Sequence, residues 1–476
     1  MDFFSYIRSR KLALLITALY TTVLLVVLIN RFLQYEVFYY DHGYTEAAAW
    51  QASHFKVPLW DREGRTWAFT DHVYPSLLLI FAPIYWFTDS YLAPVIMLAI
   101  LIGASVLIGY EIGYVLKINK LMLWALLFAY MFYIGLQNAE IFFLKDITVS
   151  IPFLMLLFLS IVKKKIKLFY VLLILNLGFK ETNAVMGFTL GIGLFLFGGR
   201  FWKKYGLFTV LISTAYAFFV TKLVVPYAMY QSFGTASNYG FNPEFSANPF
   251  SYVINLVNTP QKRETIFTSL STFGFLPLFS PLGFLLTLQD FAQRFVLIGP
   301  FHPLRQGLNL HYNASLAVIL FFSSVLAVKR LKKSRSYRGF LTFHAFLIVV
   351  IVATYHQFIY HGPLGLIYNK DFTNITKNMK FINDFVAMIP KDGKLMIQNN
   401  LAVRFTHNDL YILSTEKYFR KVEPDVLVLD FHPGQNPNNF WPMTEDKMAS
   451  LAAQLKKDPT YKALFQETHR YIFVKY

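Results

Sequence analysis

A carboxylate, Asp41, stands shortly after the first apolar segment of the chain and is followed by His42 and Gly43. Such a position predicts that Asp41 lies at a membrane surface, next to water, where a carboxylate is suited to acid–base chemistry. Other ionisable side chains of the same stretch could instead be solvated loop residues, an interpretation that suits Glu46 and Asp61 best. Asp41 is therefore the first candidate catalytic residue.

A second polar group interrupts the apolar sequence at Asn138, Glu140, Lys145 and Asp146. Charges held so close to the acyl boundary cost roughly 2 to 3 kcal/mol unless they are compensated, which favours function or internal pairing. The alternative is an ion pair between Lys145 and Asp146 that caps the following helix. Asp146 is a second candidate catalytic residue, and Lys145 is a candidate for substrate binding.

Lys180 and Glu181 form a third polar position, within an otherwise apolar run from Leu168 to Phe197. Two adjacent charges there mark either a turn between two short crossings or the lining of a polar cavity. Both interpretations put them on the same side of the membrane as Asp41.

A fourth group, Arg294, His302, Arg305, His311 and Tyr312, precedes a long apolar segment. Cations gathered opposite carboxylates predict recognition of an anionic headgroup such as a phosphate or diphosphate, with ordinary lipid anchoring as the alternative. The histidines of the chain lack the spacing of a zincin, so the residues predict no particular metal site.

The elements that must position these residues follow from composition. Hydrophobic residues make up 55% of the chain and charged residues only 15%, which is typical of a membrane protein. Cysteine is absent, which excludes thiolate catalysis and thiolate metal sites. The net charge of +17 does not indicate nucleic-acid binding, because the basic residues cluster at the ends of apolar segments. These clusters are Arg8 to Lys11, Lys117 and Lys120, Lys163 to Lys167, Arg200 to Lys204, and Lys329 to Arg338.

The basic clusters also predict the topology. The apolar segment Ser76 to Thr88 is shorter than the roughly 20 residues that a crossing helix needs. Treating it as an outer interfacial helix, headed by Asp71, His72 and Pro75, leaves every basic cluster on the cytoplasmic side. We therefore predict a polytopic α-helical domain over residues 1–360. It has about eleven transmembrane helices, including two short ones between 263 and 297, a cytoplasmic amino terminus, and interfacial helices in a first outer loop at 32–90.

After residue 360 the apolar runs give way to short strands and charged helices, which predicts a small extracytoplasmic α/β domain over residues 361–476. Strands are expected at 395–398, 410–413, 426–429 and 471–474, and helices at 374–389 and 445–457. The domain contains neither a glycine-rich phosphate loop nor a nucleophile elbow, so it is expected to cover a site rather than to form one.

Several short motifs follow one another along the chain. They are Asp41-His42-Gly43 with Ala49-Trp50-Gln51, Asp71-His72 before Ala82-Pro83-Ile84-Tyr85, Lys180-Glu181, His311-Tyr312, and the strand from Pro424-Asp425 to Asp430. Their order resembles that of the GT-C superfamily of membrane glycosyltransferases, and more closely an uncharacterised prokaryotic membrane-protein family grouped with that superfamily. Phe143-Leu144-Lys145-Asp146 departs from the expected aromatic-His-Pro-Asp pattern, so a role for that histidine does not carry over.

The resemblance implies transfer of a sugar, with inversion, from a polyprenyl-phosphate donor to a lipid or glycan acceptor at the outer face of the plasma membrane. Asp41 would orient or deprotonate the nucleophile, and Asp146 would assist it or help to hold a divalent ion such as Mg²⁺ or Mn²⁺. The sequence leaves open whether a metal or protein cations stabilise the departing phosphate. The expected substrate-binding residues are His72, Lys145, Lys180, Glu181, Arg305, His311 and Tyr312.

Two other functions remain open at this point. Intramembrane charges such as Lys180 and Glu181 also line the paths of transporters and flippases for lipid-linked or anionic solutes, although no inverted repeat is apparent. A non-catalytic assembly or sensor protein would make replacement of Asp41 by asparagine silent.

Overall fold

The computed structural model describes residues 3–61, 63–70, 72–235, 248–296, 302–374 and 376–476. Helices dominate the chain up to residue 360. They are α1 (Phe3–Leu33), α2 (Tyr44–Ser53), α3 (Pro75–Phe81), α4 (Ala93–Val115), α5 (Lys120–Phe132), α6 (Ile134–Glu140), α7 (Asp146–Val149), α8 (Ile151–Val162), α9 (Ile166–Leu177), α10 (Asn183–Phe197), α11 (Gly199–Phe219), α12 (Val225–Phe233), α13 (Pro249–Val257), α14 (Pro260–Thr272), α15 (Pro281–Phe295), α16 (His302–Arg305), α17 (Ala314–Leu331) and α18 (Arg335–Thr354).

Within the described ranges, five helical segments are long and apolar enough to cross a membrane. They are Ser9–Leu33, Ala93–Val115, Gly199–Phe233, His311–Leu331 and Arg335–Ile359. Helices α5 and α6 meet the same criteria as a pair but are bent by 47°. The chain is thus a membrane protein with several apolar helices. The predicted count of eleven would also require helices of 10–17 residues, shorter than the roughly 20 of a straight crossing.

Helix α17 lies at the centre of the helical region. It packs against α4, α5, α8 and α15, and 78% of its most apolar stretch is buried. The ring of Phe322 stacks on that of Phe158 at 4.1 Å between centroids. A helix that is apolar on all sides belongs in an interior. The residues just before α17, among them His311 and Tyr312, are therefore attached to the most enclosed helix of the protein.

The segment between residues 263 and 297 contains two helices joined by a turn, but neither is among the described helices that are long and apolar enough to cross a membrane. The two short crossings expected there stay a prediction. Helices α14 and α15 flank Gly274, whose φ is +58°. A side chain at this glycine would also meet His344, because an added Cβ would lie 2.4 Å from the ring nitrogen Nε2. Glycine is required here by both conformation and space.

The C-terminal region forms a five-stranded sheet with helices on both faces. Its strands follow the hairpin strands β1 (Leu59–Asp61) and β2 (Arg65–Trp67) in chain order. They are β3 (Leu395–Ile397), β4 (Leu410–Ile412), β5 (Val426–Asp430), β6 (Tyr461–Glu467) and β7 (Arg470–Lys475), and the helices are α19 (Lys370–Thr373), α20 (Lys377–Ala387), α21 (Glu416–Val422) and α22 (Glu445–Leu455).

The strand order is β4-β3-β5-β7-β6, with β4, β3 and β5 parallel and the last two antiparallel to their neighbours. The four predicted strands and both predicted helices are confirmed, whereas β6 and α21 were missed. Only Tyr461 of β6 is buried, and the strand includes charged residues at Lys462 and Glu467, so it lacks the pattern of a buried strand. Helix α20 packs on one face of the sheet and helices α21 and α22 on the other.

Two buried carboxylates join the C-terminal region to the loop after α1, and both contradict their interpretation as solvated residues. Glu46 accepts hydrogen bonds from Tyr85, Thr406 and His407, the last at 2.8 Å from Nε2. Its pKa is lowered, because these hydrogen bonds and the charge of His407 outweigh burial, which acts to raise it. Glu46 therefore ties α2 to the loop after β3.

The second buried carboxylate is Asp61 at the end of β1. It accepts a hydrogen bond from the backbone N–H of Ile412 at 2.7 Å and another from the Tyr418 hydroxyl. Burial raises the pKa of Asp61, although these hydrogen bonds oppose the effect. The β1–β2 hairpin is thereby held against β4 and α21.

Candidate functional site

A cavity of about 630 Å³ lies between the ends of several helices and the C-terminal region. Its lining comes from the loop after α1, the turns before α7 and α10, the segment before α17, helix α12, and loops after β4 and β5. Six of the nine predicted site residues line it, although they are far apart in the chain. They are His72, Lys145, Asp146, Lys180, His311 and Tyr312.

A π-helical turn over Tyr39–Gly43 positions Asp41 beside this cavity. The backbone N–H of Tyr39 donates to the carbonyl of Asn399 at 3.0 Å, and that of Tyr40 to its side-chain oxygen at 3.3 Å. Gly43 permits the turn to close, because an added Cβ would lie 2.9 Å from the Tyr39 ring. The turn is thus anchored on the loop that follows β3.

His42, the neighbour of Asp41, is buried and has a structural position. Its ring lies edge-on to Phe32 and Phe143, and its Nδ1 accepts the backbone N–H of Leu144 at 3.4 Å. Burial lowers the pKa of His42 to about 4, so the ring is neutral at physiological pH. His42 connects the Asp41 turn to the segment that carries Lys145.

Asp41 and Lys145 form an ion pair, with 3.1 Å between Oδ1 and Nζ. Lys145 also donates to the carbonyl of Tyr40 at 3.1 Å and contacts the Tyr44 hydroxyl at 3.4 Å. Burial acts to lower the pKa of Lys145, but Tyr44 and Asp41 outweigh it and raise the pKa, so the amine stays protonated. The Asp41 side chain keeps 32% of its surface exposed and is the accessible partner.

Asp146 pairs with Lys180 rather than with its neighbour Lys145, so the alternative of a capping ion pair between Lys145 and Asp146 is wrong. Lys180 Nζ lies 3.1 Å from Asp146 Oδ2, and each side chain is only 8% exposed. Asp146 Oδ1 also accepts the backbone N–H of Ile147 at 2.7 Å, at the start of α7. Burial acts to lower the pKa of Lys180, but the negative charges of Asp146 and Glu181 outweigh burial, so the pKa is raised.

Glu181 does not line the cavity but orients a residue that does. Its Oε1 lies 3.1 Å from His72 Nδ1, and its Oε2 accepts the backbone N–H of Val73 at 3.1 Å. His72 lines the cavity, while Glu181 is almost completely buried. Asp71, which the sequence analysis put at the head of the interfacial helix, lies outside the described residues.

His311 and Tyr312 reach the cavity from the start of the central helix. The His311 ring lies 4.3 Å from the Tyr312 ring and 5.7 Å from that of Phe142. Its Nδ1 is buried and has no hydrogen-bond partner among the described residues. Arg305 does not line the cavity, but its guanidinium lies 5.6 Å from the Tyr312 ring. His311 thus has a ring nitrogen that remains available to a ligand.

Arg294 is a structural residue, contrary to both interpretations of it as a headgroup ligand or a lipid anchor. It is buried, donates to Asn313 Oδ1 at 2.8 Å and to the carbonyls of Arg305 and Gly307, and pairs with Asp290 at 3.5 Å. These bonds hold the segment that leads into α17.

The sequence analysis missed residues that form the rest of the lining. They come from both regions, and five of the eleven are aromatic: Tyr40, Tyr44, Trp60, Glu63, Thr66, Thr70, Met229, Phe233, Ser414, Trp441 and Pro442. Trp60 is 5% exposed and packs on Tyr44. No spacing motif marks Ser414 or Trp441, because a sheet-to-loop contact brings them to the cavity.

A divalent ion does not fit the described part of this site. Among the described residues, no group of three or more His, Asp or Glu side chains could hold a metal. Asp41 and Asp146 each face a lysine instead. A bound metal would need anionic ligands that are not already neutralised by cations.

Apolar helices that surround a charged, aromatic-lined cavity, covered by a small α/β region, define a polytopic membrane protein with a polar site at one end of its helices. The chain belongs to the family described as "Predicted membrane protein (DUF2079)", whose model matches residues 31–467. No curated protein is significantly similar to it.

Proposed function

We propose that the protein is a membrane glycosyltransferase that moves a sugar from a polyprenyl-phosphate donor to a lipid or glycan acceptor, with inversion. The observation that carries this proposal is the pair of buried, protonated lysines, Lys145 and Lys180, that line one cavity, with the partly exposed carboxylate of Asp41 beside the cavity and paired with Lys145. A phosphate leaving group needs cations, and an attacking hydroxyl needs a base.

The lysines would bind the donor phosphate. Both amines are protonated and nearly excluded from water, where their attraction for a phosphate is much stronger than at an open surface. His311 adds a buried ring nitrogen on the same cavity. Since Asp146 also caps the start of α7, we assign it to positioning Lys180 rather than to proton transfer.

Asp41 would act as the base. When Lys145 turns from Asp41 to the donor phosphate, the carboxylate loses its partner and can accept a proton. The acceptor oxygen then forms a bond to the anomeric carbon as the bond from that carbon to the phosphate oxygen breaks. The acceptor proton passes to Asp41, and the electron pair of the broken bond leaves on the polyprenyl phosphate beside the lysines.

The orientation of the protein belongs to the same proposal. The basic clusters at the segment ends favour a cytoplasmic amino terminus in the plasma membrane. The cavity and the C-terminal region would then face the extracytoplasmic side, where lipid-linked sugars and membrane lipids are both within reach. Nucleic acid is not an expected partner.

Replacing Asp41 by asparagine tests this proposal. We expect sugar transfer to fall by about 10² to 10⁴, because asparagine can still accept a hydrogen bond from Lys145 but cannot accept the proton. The measurement is incorporation of radiolabel from a panel of polyprenyl-phosphate sugars into lipid or glycan by the purified protein in liposomes. Asp384, an exposed aspartate on α20, provides the matched control Asp384→Asn.

Equal incorporation by the wild type and the Asp41→Asn variant would exclude Asp41 as the base. No incorporation from any donor by the wild type would contradict the glycosyltransferase itself. Movement of the labelled donor across the bilayer without a new glycosidic bond would identify a flippase instead.

A further inference from the structure

Four of the described lining residues carry no positive charge and come from other elements than the two lysines. They are Trp441 in the loop after β5, Ser414 after β4, and Glu63 and Thr66 of the β1–β2 hairpin, and together they make up one part of the lining. We infer that this part, here called the Trp441 subsite, binds a carbohydrate ring. The inference deepens the proposed function and rests on it for the identity of the reaction.

The first observation is the exposure of Trp441. The indole keeps 52% of its surface exposed although it lines the cavity and contacts the Tyr40 ring at 4.6 Å between centroids. Phe440, just before it, and Met443, two residues after it, are buried in the core under the sheet. The loop therefore presents a large aromatic surface on a rigid support instead of burying it.

The loop that carries Trp441 is fixed by side-chain amides. Asn399 donates to the carbonyl of Asn438 at 2.9 Å, and Asn439 donates to Gln435 at 2.7 Å. Asn399 is also the residue that holds the turn of Asp41. One asparagine thus sets the position of Trp441 relative to the proposed base.

The second observation is a set of polar groups suited to sugar hydroxyls. Ser414 donates to Glu63 Oε1 at 3.1 Å, and Glu63 is exposed at the cavity. The Thr66 hydroxyl oxygen is buried, belongs to a residue that is only 2% exposed, and has no hydrogen-bond partner among the described residues. A buried hydroxyl without a partner is costly unless a ligand satisfies it.

These groups match the chemistry of a sugar. One face of a pyranose ring carries C–H groups that pack on an aromatic ring, while its edge carries hydroxyls that donate to carboxylates and hydroxyl oxygens. An apolar tail would leave the Thr66 hydroxyl without a partner, and a phosphate would be repelled by the Glu63 carboxylate. The donor sugar and a glycan acceptor both have these C–H faces and hydroxyl edges, so the Trp441 subsite suits either of them.

The test is binding of free sugars, measured by saturation-transfer NMR on the full-length protein in nanodiscs with a panel of methyl glycosides. We expect contacts in the wild type, about tenfold weaker binding in Trp441→Ala, and near wild-type binding in Trp441→Phe. Tyr476→Ala is the matched control, because Tyr476 is an aromatic residue of the same region that is 81% exposed and lies outside the cavity lining. Its binding should equal that of the wild type.

Binding that is equal in all four proteins, or a wild type that contacts no glycoside of the panel, would overturn the inference. The transfer assay distinguishes whether the sugar bound at the Trp441 subsite belongs to the donor or to the acceptor. A higher KM for the donor alone in Trp441→Ala assigns the donor sugar, and a higher KM for the acceptor alone assigns the acceptor. Trp441-dependent sugar binding without any transfer would reject the proposed reaction while it supports the subsite.

Discussion

Replacement of Lys180 by methionine is expected to abolish sugar transfer and to destabilise the protein at the same time. The variant removes one of two cations from the cavity, and loss of one such electrostatic group costs about 10²- to 10³-fold in rate. It also leaves the Asp146 carboxylate buried without its partner, which costs about 3 to 5 kcal/mol. Transfer and thermal unfolding, measured on the same preparation in nanodiscs, report the two effects.

A double variant separates these two effects. Replacing both members of the pair, Lys180→Met with Asp146→Leu, removes the unpaired charge, and apolar replacement of a buried ion pair is often close to neutral for stability. We expect the melting temperature to recover toward that of the wild type while transfer stays absent. Recovery of both would contradict the role of Lys180 in binding phosphate and would leave the ion pair a purely structural one.

The charge arrangement explains why the lysines are expected to matter so much. Lys145 and Lys180 are each neutralised by one aspartate in the absence of a ligand, so burying them is tolerable. The two pairs differ in access, because the Asp41 side chain is 32% exposed whereas Asp146 is 8% exposed. An incoming anion can therefore replace Asp41 as the partner of Lys145 more easily than Asp146 as the partner of Lys180. Phosphate binding and release of the proposed base are thus linked.

The sequence was sufficient to find the charged half of the cavity. An isolated charge between apolar segments is expensive, so Lys145, Asp146, Lys180 and His311 stand out from their surroundings. Residues at the ends of such segments must also lie near one membrane surface. These two facts predict that the residues gather, and the structure brings all four to one cavity.

The partners of these charges could not be predicted in the same way. Adjacency suggested a pair between Lys145 and Asp146, but neighbouring residues do not face each other at the start of a helix. Lys145 precedes α7 and turns to Asp41, while Asp146 begins α7 and faces Lys180. Such pairings depend on how distant helices pack, which the local sequence does not encode.

The aromatic half of the cavity was missed for a related reason. Ser414 and Trp441 follow strands of the C-terminal sheet, and their strands were predicted correctly. Glu46 and Asp61 help to hold the sheet against the loop after α1, and this docking brings Ser414 and Trp441 to the cavity. A contact between residues more than 350 positions apart leaves no pattern in the sequence around either residue. Both carboxylates therefore looked like ordinary loop residues.

Replacing Glu46 by alanine is expected to release the C-terminal region from the helices. The change removes the carboxylate that accepts three hydrogen bonds. Tyr85, Thr406 and His407 then have polar groups inside the protein without an acceptor, which destabilises the docking by about 3 to 5 kcal/mol. Limited proteolysis should then cut the segment between α18 and α20, which stays protected in the wild type. Glu467→Ala, at an exposed glutamate of β6, is the matched control and should remain resistant.

The same contact predicts a pH dependence with a defined sign. The pKa of Glu46 lies below its ordinary value of 4.5, so its contribution to stability is complete above about pH 4.5 and is lost as the pH falls through the lower pKa of the folded protein. Glu46→Gln, which cannot ionise, should be less stable than the wild type at neutral pH and should lose this acid-dependent step. Proteolysis profiles of the two proteins that fall in parallel between pH 6 and pH 3 would show that Glu46 does not control the docking.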